Sequence, residues 1–305
     1  YKKIALITGA NSGIGRAAAV ALAKKGMAVV MLCRNLRRGE AALQAVRAQS
    51  QSDDVALMLC DLADLADIQR FCRAFRARYP SLDVLINNAG VLCFDRQETK
   101  DGLELHFGIC HAAHFLLTLS LLDCMRPPAR VVMVGSVAHK AGRIDFDDLG
   151  MKAGYSVARA YSRAKLCNLL FTKEFARRMK GAGIAIYCVH PGAVVTGIGA
   201  RRGDGLDGKR RLRTLAGKLL RFAVRTPEQA AEVLVDVATG DAFRDAAGAY
   251  IANGKIARAS KRSEDPVLAQ RLWELSDELT KAHRDPRLNP RLRDGAMPNA
   301  FNGKD

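Results

Sequence analysis

Tyr161 and Lys165 are the two residues of this chain whose types and spacing point most directly to chemistry. Four residues are slightly more than one helical turn, so the phenol and the ammonium group share one face of a helix. A free phenol has a pKa of about 10 and is a poor acid or base at neutral pH, but a neighbouring cation lowers that pKa. Ser136 stands 25 residues upstream of Tyr161, and its hydroxyl can donate a hydrogen bond to a carbonyl oxygen. Together the three residues predict proton transfer to or from an alcohol or ketone.

A glycine-rich segment near the N-terminus strengthens this interpretation, because a tyrosine–lysine pair alone is more often a solvated pair on a helix surface. An apolar run, residues 3–7, leads into Thr8-Gly9 and then into a helical run, residues 16–25. A strand, a glycine turn and a helix in succession predict a phosphate-binding loop, because the first N–H groups and the helix dipole attract an anion. The residues expected to contact the cofactor there are Gly9, Asn11, Ser12, Gly13, Ile14 and Gly15.

The glycine spacing, taken with Ser136, Tyr161 and Lys165, resembles the short-chain dehydrogenase/reductase family over about residues 3–255. Further motifs follow in the family's order, and the resemblance implies that they contact the cofactor. They are Asp61 and Leu62 near the adenine, Asn88, Ala89 and Gly90 along the cofactor, and Pro191, Gly192, Val194 and Thr196 near the nicotinamide carboxamide. Finer features, such as Cys33-Arg34 and residues 111–118, are similar to the retinol-dehydrogenase-like branch.

The resemblance also implies a reaction, the transfer of a hydride between a nicotinamide cofactor and a ketone, aldehyde or alcohol. Tyr161 is then the general acid and base, Lys165 lowers the pKa of Tyr161 and contacts the ribose, and Ser136 orients the substrate oxygen. The expected substrate is a small carbonyl or alcohol compound, and the branch suggests a lipophilic or retinoid-like one.

The end of the second predicted strand indicates which nicotinamide cofactor is preferred. In dinucleotide-binding folds an acidic residue at this position binds a free ribose 2′-hydroxyl and repels a 2′-phosphate. This chain has Cys33 there, and Arg34 and Arg38 follow. Because guanidinium groups grip phosphates with a fork of donors, we expect NADP(H) to be preferred, with NAD(H) as the alternative.

Cys110 marks a departure from the family. The resemblance implies an asparagine here, a fourth catalytic residue that holds a bend in the helix and a water molecule linked to the lysine. A thiol is a weak donor and acceptor and does not replace the two-sided hydrogen bonding of an amide. We keep Cys110 among the candidate catalytic residues. Two hypotheses follow: an oxidoreductase whose turnover the thiol can reduce, or a cofactor-binding protein with little activity that regulates a partner.

Alternating apolar and helical segments predict the fold class. Strand-like runs recur near residues 4, 28, 55, 84, 131, 184 and 248, and helical stretches separate them at about 14–26, 37–50, 64–78, 101–126, 159–182 and 227–239. This alternation implies βαβ crossovers and a parallel sheet. We predict an α/β protein with a single doubly wound Rossmann domain, residues 1–281, of about seven parallel strands and helices on both faces. A lid segment lies at about 193–225, and residues 282–305 form a polar tail.

Much of the net charge of +17 falls in residues 201–225, which contain nine Lys or Arg and two Asp. Leucines at helical spacing make this segment a basic amphipathic pattern, which fits a solvated lid or a lid that also contacts an anionic membrane. We expect no nucleic-acid binding, because no aromatic residues interleave with these charges. The family resemblance implies a homodimer that pairs through the helices at about 101–126 and 159–182.

The eight cysteines form no C-x-x-C pair and mostly lie in apolar runs, so we expect buried, reduced thiols and a reducing compartment. No apolar run approaches the roughly 18 to 20 residues of a membrane span. His111 and His114 have helical spacing but no third ligand nearby, so we expect no metal site. The expected location is cytoplasmic, with peripheral membrane contact as an option. The sequence starts at its first predicted strand, which leaves open a removed N-terminal leader or anchor.

Overall fold

An eight-stranded sheet forms the centre of the computed structural model, which describes residues 2–194 and 224–284. Its strands are β1 (Ile4–Thr8), β2 (Ala28–Cys33), β3 (Val55–Leu59), β4 (Leu82–Asn87), β5 (Met125–Val134), β6 (Ile184–His190), β9 (Tyr250–Ala252) and β10 (Lys255–Ile256). A separate parallel pair is formed by β7 (Ala193–Val194) and β8 (Val224–Arg225). Across the sheet the order is β3–β2–β1–β4–β5–β6–β9–β10, and all neighbours are parallel except β9 and β10. The predicted doubly wound α/β fold is confirmed.

The antiparallel strand β10 is the feature of the sheet that the sequence did not predict. It is two residues long, and its Ile256 is exposed, so no buried alternation marks it. The turn before it, Asn253-Gly254, has positive φ at both residues, 53° and 81°. An Asn-Gly pair of this kind is the usual connection of a two-residue hairpin and was the available signal.

The helices that separate the strands mostly follow the predicted bounds. They are α1 (Gly13–Lys24), α2 (Leu36–Ser50), α3 (Leu65–Arg78), α4 (Leu105–Phe107), α5 (Ala113–Ser120), α6 (Val157–Arg178), α7 (Pro227–Thr239) and α8 (Pro266–Thr280). Residues 108–112 form a π-helical turn that joins α4 to α5. The helix predicted at 101–126 is therefore shorter and is interrupted. It begins at Leu105 because the Glu104 carboxylate caps it by accepting hydrogen bonds from the N–H groups of His106 and Phe107.

Helix α8 was missing from the predicted helices, although the chain carries its start signal. The Asp265 side chain accepts hydrogen bonds from the N–H groups of Val267 and Leu268, and Pro266 occupies the first helical position. The helix packs along α6, with Trp273 stacked on Phe171 at 5.7 Å between ring centroids. Its buried apolar residues, Ala269, Leu272 and Trp273, lie on one side of the helix, which is the usual pattern of a helix at the protein surface.

Helices cover both faces of the sheet and form two hydrophobic cores. Successive residues of β1 show the alternation, since Leu6 belongs to the core under α3, α5 and α6, and Ile7 to the core under α1, α2 and α7. Both residues are completely buried. Each side chain of this size contributes roughly 1.5–3 kcal/mol when it is buried. Burial on both faces explains why the strands read as continuous apolar runs.

The helices expected to pair between two copies are covered within one chain. Every residue from Leu105 to Ser120 is buried, and α8 lies across α6. The homodimer remains a prediction. The eight cysteines are free, and all but Cys124 are buried, as predicted. Within residues 2–194 and 224–284, no helix is long and apolar enough to cross a membrane.

Candidate active site

The winding order of the sheet creates a crevice at the carboxyl ends of β1 and β4. From β1 the chain continues outward to β2 and β3, whereas β4 starts on the other side of β1 and the later strands continue away from it. Ligands of doubly wound sheets bind where the strand order reverses in this way. A cleft of about 490 Å³ lies there.

Most of the predicted site residues line this one cleft. They are Gly9, Asn11, Ser12, Gly13, Ile14, Arg34, Arg38, Asp61, Leu62, Asn88, Ala89, Gly90, Ser136, Tyr161, Lys165, Pro191, Gly192 and Val194. Residues far apart in sequence therefore meet as the motif order indicated. Thr196 and most of the predicted lid lie outside the described residues.

Gly15 and Cys110 do not line the cleft but lie behind its wall. A Cβ at Gly15 would stand 2.5 Å from Asn88 Nδ2 and 2.6 Å from the Gly9 carbonyl oxygen. Only a glycine allows α1 to approach the strand ends this closely, so Gly15 acts through packing. Cys110 is completely buried, and its Sγ would lie 3.7 Å from a Cβ at Gly90.

Thr8 ties the glycine loop to the loop after β4, a role that the sequence did not reveal. Its hydroxyl oxygen accepts hydrogen bonds from the N–H groups of Asn88 and Ala89, both at 2.9 Å. In return, Asn88 Nδ2 donates to the Thr8 carbonyl oxygen at 2.8 Å. Gly9 follows with φ of 66°, and a Cβ there would lie 3.0 Å from Ala89 Cα. The two loops thus form a close-fitting cradle with room for a ligand's phosphates beside the start of α1.

Lys165 places a buried cation beside Tyr161. Its Nζ donates to the Val134 carbonyl oxygen at 2.8 Å and lies 5.5 Å from the centre of the Tyr161 ring. Burial lowers the pKa of Lys165, but charge interactions with Tyr161, Cys110 and Cys188 outweigh burial and raise that pKa above its ordinary value. The lysine therefore stays charged at neutral pH. Tyr161 is partly exposed to the cleft, where its hydroxyl makes no hydrogen bond to the described residues.

Ser136 is held at the end of β5 with its hydroxyl hydrogen available. Its Oγ accepts from the N–H of Ala138 at 3.2 Å, so the O–H can donate to another group. The Ser136 carbonyl oxygen accepts from His139 Nδ1 at 2.8 Å, and His139 Nε2 accepts from the N–H of Ser260 at 3.2 Å. Burial lowers the pKa of His139, which keeps the ring neutral in this arrangement. His139 is a supporting residue that spacing alone could not identify.

The π-helical turn lies at Cys110, where the family resemblance implied a bend held by asparagine. The Cys110 carbonyl oxygen accepts from His114 Nδ1 at 3.2 Å, and His114 Nε2 meets the Thr8 hydroxyl at 2.9 Å. Burial raises the pKa of the Cys110 thiol, although the Lys165 charge partly opposes this. The helix thus contains a π-helical turn here without an asparagine amide, next to a neutral thiol.

His111 and His114 have separate partners and do not point to a common metal. His111 Nε2 lies 2.8 Å from Ser276 Oγ, whereas His114 contacts Thr8 and Cys110. Burial lowers the pKa of His111 to about 3 and that of His114 to about 4, so both rings are neutral. Over the part of the chain that the structure describes, no three His, Cys, Asp or Glu side chains are grouped to hold a metal ion.

The end of β2 carries the residues that face the outer part of the cleft. Cys33 is buried there, while Arg34 and Arg38 are exposed at its rim. Asn35 caps α2 by accepting from the N–H of Arg38 at 3.0 Å, which fixes the first turn of that helix beside the cleft. The end of β2 thus presents a buried thiol and, after it, the guanidinium groups of Arg34 and Arg38 to this part of the cleft.

Comparison with known proteins agrees with this geometry. The family model described as short chain dehydrogenase matches residues 3–206. Retinol dehydrogenase 12 of Mus musculus is 38% identical over 279 residues, which cover 91% of this chain and 86% of that protein. Retinol dehydrogenase 13 of Homo sapiens is 37% identical, with coverages of 91% and 84%. The crystal structure of an uncharacterized protein from Mycobacterium Paratuberculosis matches with a TM-score of 0.73 and 34% identity, covering 92% of this chain and 93% of that one.

Proposed function

Because this chain belongs to the short-chain dehydrogenase/reductase family, we propose that it is an oxidoreductase that uses Ser136, Tyr161 and Lys165 to convert a carbonyl compound and its alcohol into one another. One observation carries the assignment of these residues. Lys165 is a buried cation beside the Tyr161 ring, in the wall of the cleft that the glycine loop also lines. A fixed charge in a water-poor site interacts strongly with a phenol that gains or loses a proton.

The three side chains divide the acid–base work between them. When NAD(P)H is bound, it supplies the hydride that reduces the carbonyl carbon. Ser136 donates a hydrogen bond to the substrate oxygen, and Tyr161 gives its proton to the same oxygen as negative charge develops there. Lys165 stabilises the phenolate that remains. In the direction of alcohol oxidation the tyrosine takes the proton instead.

The cleft offers each part of a dinucleotide a matching group of residues. The glycine loop and the start of α1 would hold the pyrophosphate. We assign Asp61 and Leu62 to the adenine, Asn88, Ala89 and Gly90 to the middle of the cofactor, Lys165 to the nicotinamide ribose, and Pro191, Gly192 and Val194 to the carboxamide. Thr196, the further carboxamide contact suggested by the family, lies outside the described residues.

We infer that NADP(H) is preferred to NAD(H). Cys33 occupies the position at which a carboxylate would select a free ribose hydroxyl, and the exposed guanidinium groups of Arg34 and Arg38 stand at the rim of the same part of the cleft. An arginine can bind a 2′-phosphate through two parallel hydrogen bonds, which an uncharged hydroxyl cannot match.

We infer further that the substrate is a lipophilic carbonyl or alcohol compound. Two large apolar side chains are exposed at or next to cleft residues: Val137, which lines the cleft and follows Ser136, is 51% exposed, and Phe94, which follows the cleft residue Cys93, is 40% exposed. Apolar side chains in such a position favour an apolar ligand. The retinol dehydrogenases among the relatives make retinaldehyde a suitable first test compound.

The decisive experiment is NADPH oxidation by the purified chain across aliphatic, aromatic, steroid and retinoid carbonyls, with NADH in parallel. We expect turnover that is faster with NADPH and greater for the lipophilic compounds. Tyr161→Phe should abolish turnover and leave the NADPH dissociation constant, measured by fluorescence, nearly unchanged, because only the hydroxyl is removed. A Tyr161→Phe variant as active as the wild type would disprove the assigned mechanism.

Cys110 favours a second candidate function, a cofactor-binding protein with little catalysis. The neutral, fully buried thiol cannot hold a water molecule as an amide would. In that case NADP(H) occupancy would regulate a partner protein. Tight NADPH binding without turnover of any compound in the panel would favour this function over the first.

We also propose that the basic segment at about 193–225 allows peripheral contact with an anionic membrane, through residues that lie mostly outside the described ranges. Sedimentation with vesicles of phosphatidylserine and phosphatidylcholine tests this contact at low salt. Failure to sediment with them would contradict it, because a basic surface should bind anionic lipids under these conditions.

A further inference from the structure

Three charged or polar side chains form a buried cluster between the start of α4 and α6, the helix that carries Tyr161 and Lys165. Glu104 and Arg163 are 0% exposed at their side chains, and His106 is equally buried. The Glu104 Oε2 atom accepts from Arg163 Nη2 at 2.8 Å and from the N–H of Phe107 at 3.0 Å. Its Oε1 atom accepts from His106 Nδ1 at 2.7 Å and from the N–H of His106 at 3.0 Å. Each carboxylate oxygen thus has two donors, as a buried ion requires.

His106 has a fixed orientation and one proton position. Its Nε2 accepts from the N–H of Cys93 at 3.2 Å, so Nδ1 carries the proton that is donated to Glu104. The same ring stands edge-on to Tyr161, with 6.4 Å between the ring centroids. One imidazole therefore contacts both the general acid and the main chain of Cys93.

The main chain of Cys93 is held from two sides. Its N–H donates to His106, and its carbonyl oxygen accepts from the Tyr155 hydroxyl at 2.8 Å. Burial and the charge of Glu104 raise the pKa of Tyr155, so its phenol stays protonated and able to donate. Cys93 lines the cleft, and the exposed Phe94 follows it. The two hydrogen bonds fix the wall of the cleft on the substrate side.

Arg163 extends the cluster to the loop on the other side of that wall. Its Nη1 donates to the Leu149 carbonyl oxygen at 2.6 Å, in the segment that leads to Tyr155. In the same region Arg96 Nε donates to the Gly150 carbonyl oxygen at 2.7 Å. The cluster therefore connects the start of α4, the catalytic helix α6 and both loops beside the open end of the cleft.

We propose that Glu104, His106 and Arg163 form a positioning unit that holds the Cys93 loop, residues 91–97, at a fixed place relative to Tyr161, and that His106 is its central member. None of the three lines the cleft, so they act through Cys93 and Tyr161. The unit determines how closely an apolar substrate approaches the reacting hydroxyl, a role that rests on the oxidoreductase function proposed above.

Two substitutions at His106 separate its two hydrogen bonds and leave the Glu104–Arg163 pair in place. His106→Asn can still donate to Glu104 from an amide nitrogen near the Nδ1 position but cannot reach Cys93. His106→Gln brings an amide oxygen near the Nε2 position, where it can accept from the Cys93 N–H. Both variants lose the imidazole ring, so a difference between them cannot come from the loss of ring volume.

We expect His106→Asn to raise the KM for the carbonyl substrate about tenfold, because a buried N–H loses its partner. His106→Gln should restore most of this loss, and the dissociation constant for NADPH should be the same in both variants. Hydrogen exchange provides a readout without turnover: the amides of residues 91–96 should exchange about tenfold faster in His106→Asn than in His106→Gln. Tyr155→Phe, which releases the Cys93 carbonyl, should affect the same peptide.

Equal KM values and equal exchange rates in the two His106 variants would overturn the proposal, because ring volume alone would then explain the site. Unequal NADPH dissociation constants would also overturn it, since the unit is assigned to the substrate wall. A wild-type chain that turns over no carbonyl would contradict the oxidoreductase function instead. In that case the exchange rates of residues 91–96 still decide whether His106 holds the loop.

Discussion

Replacing Glu104 with glutamine tests how strongly the fold depends on the buried ion pair between Glu104 and Arg163 of α6. The carboxylate accepts hydrogen bonds from His106, Phe107 and Arg163, and both members of the ion pair are fully buried. Its neutralisation leaves Arg163 as a buried cation, and the Nε of that arginine already has no hydrogen-bond partner among the described residues. Breaking a buried pair from one side costs about 3–5 kcal/mol. This is a large part of the roughly 5–15 kcal/mol by which folded proteins are typically stable.

Asp241→Asn is the matched control, because it makes the same chemical change in an exposed ion pair. The Asp241 and Arg244 side chains are 81% and 69% exposed. Water and salt screen such a pair, so the free energy of unfolding should change little or not at all. Both variants remove one carboxylate charge, but only Glu104 is buried. The difference between their free energies of unfolding therefore measures the effect of burial.

Trp273 provides the signal for the assay. It is the only tryptophan of the chain and is 5% exposed where α8 packs against Phe171 of α6, so its fluorescence reports loss of the core. Urea titration should give a much lower midpoint for Glu104→Gln than for the wild type, and an unchanged midpoint for Asp241→Asn. Equal midpoints for all three proteins would refute the assigned importance of burial.

The dependence on pH gives the same prediction a second check. Burial raises the pKa of Glu104, but the hydrogen bonds from His106 and Phe107 outweigh burial and hold that pKa below its ordinary value of 4.5. A carboxyl whose pKa is lower in the folded state stabilises the fold at pH values above its pKa in the unfolded chain. This stabilisation is lost as the pH falls through its pKa in the folded protein. The difference in the free energy of unfolding between wild type and Glu104→Gln should therefore have its full size above pH 4.5 and become smaller below it. A difference that grows on acidification would contradict this reasoning.

Three further substitutions test the active site itself. Cys110→Asn should raise kcat if the thiol weakens the proton relay, and a steady-state kcat at or below that of the wild type would count against this role. Arg34→Glu should shift the ratio of kcat/KM for NADPH and NADH about tenfold or more toward NADH, because the contact that we infer between Arg34 and the 2′-phosphate would be replaced by repulsion; an unchanged ratio would remove Arg34 from the proposed cofactor site. Gly15→Ala places a methyl group 2.5 Å from Asn88 Nδ2 and 2.6 Å from the Gly9 carbonyl, so NADPH binding measured by fluorescence titration should weaken about tenfold. Wild-type affinity in Gly15→Ala would show that α1 can move at no cost to the phosphate site.

The sequence predicted most of the sheet because both faces of the sheet are buried. Strands that are buried on two sides are short apolar runs, and the turns beside them carry glycine and polar residues. The positions of these strands could therefore be predicted from the sequence. Errors arose where an element has a different local pattern. The strand Lys255–Ile256 is too short and exposed to be recognised. The helix predicted at 101–126 begins late because Glu104 caps its start, and it ends early because β5 begins at Met125.

The candidate site could be predicted where its residues belong to motifs of short range. The spacing of the glycines after β1 and the four-residue step from Tyr161 to Lys165 are set by the geometry of one turn and one helix, so the sequence itself defines them. Their assembly in one cleft follows from the winding order, since the carboxyl ends of parallel strands meet at the same edge of the sheet.

The supporting residues were decided by the tertiary structure. Arg163 pairs with Glu104 across 59 positions, and His139 accepts from the N–H of Ser260 across 121 positions. Neither contact has a signal in the sequence, because no local periodicity links the partners. The first is made only when α4 packs against α6, and the second only when the segment after β10 packs against the turn that follows β5. The chain alone thus determines which groups can perform acid–base chemistry. Packing determines which polar groups are buried together, and buried polar groups must find partners wherever the fold brings them.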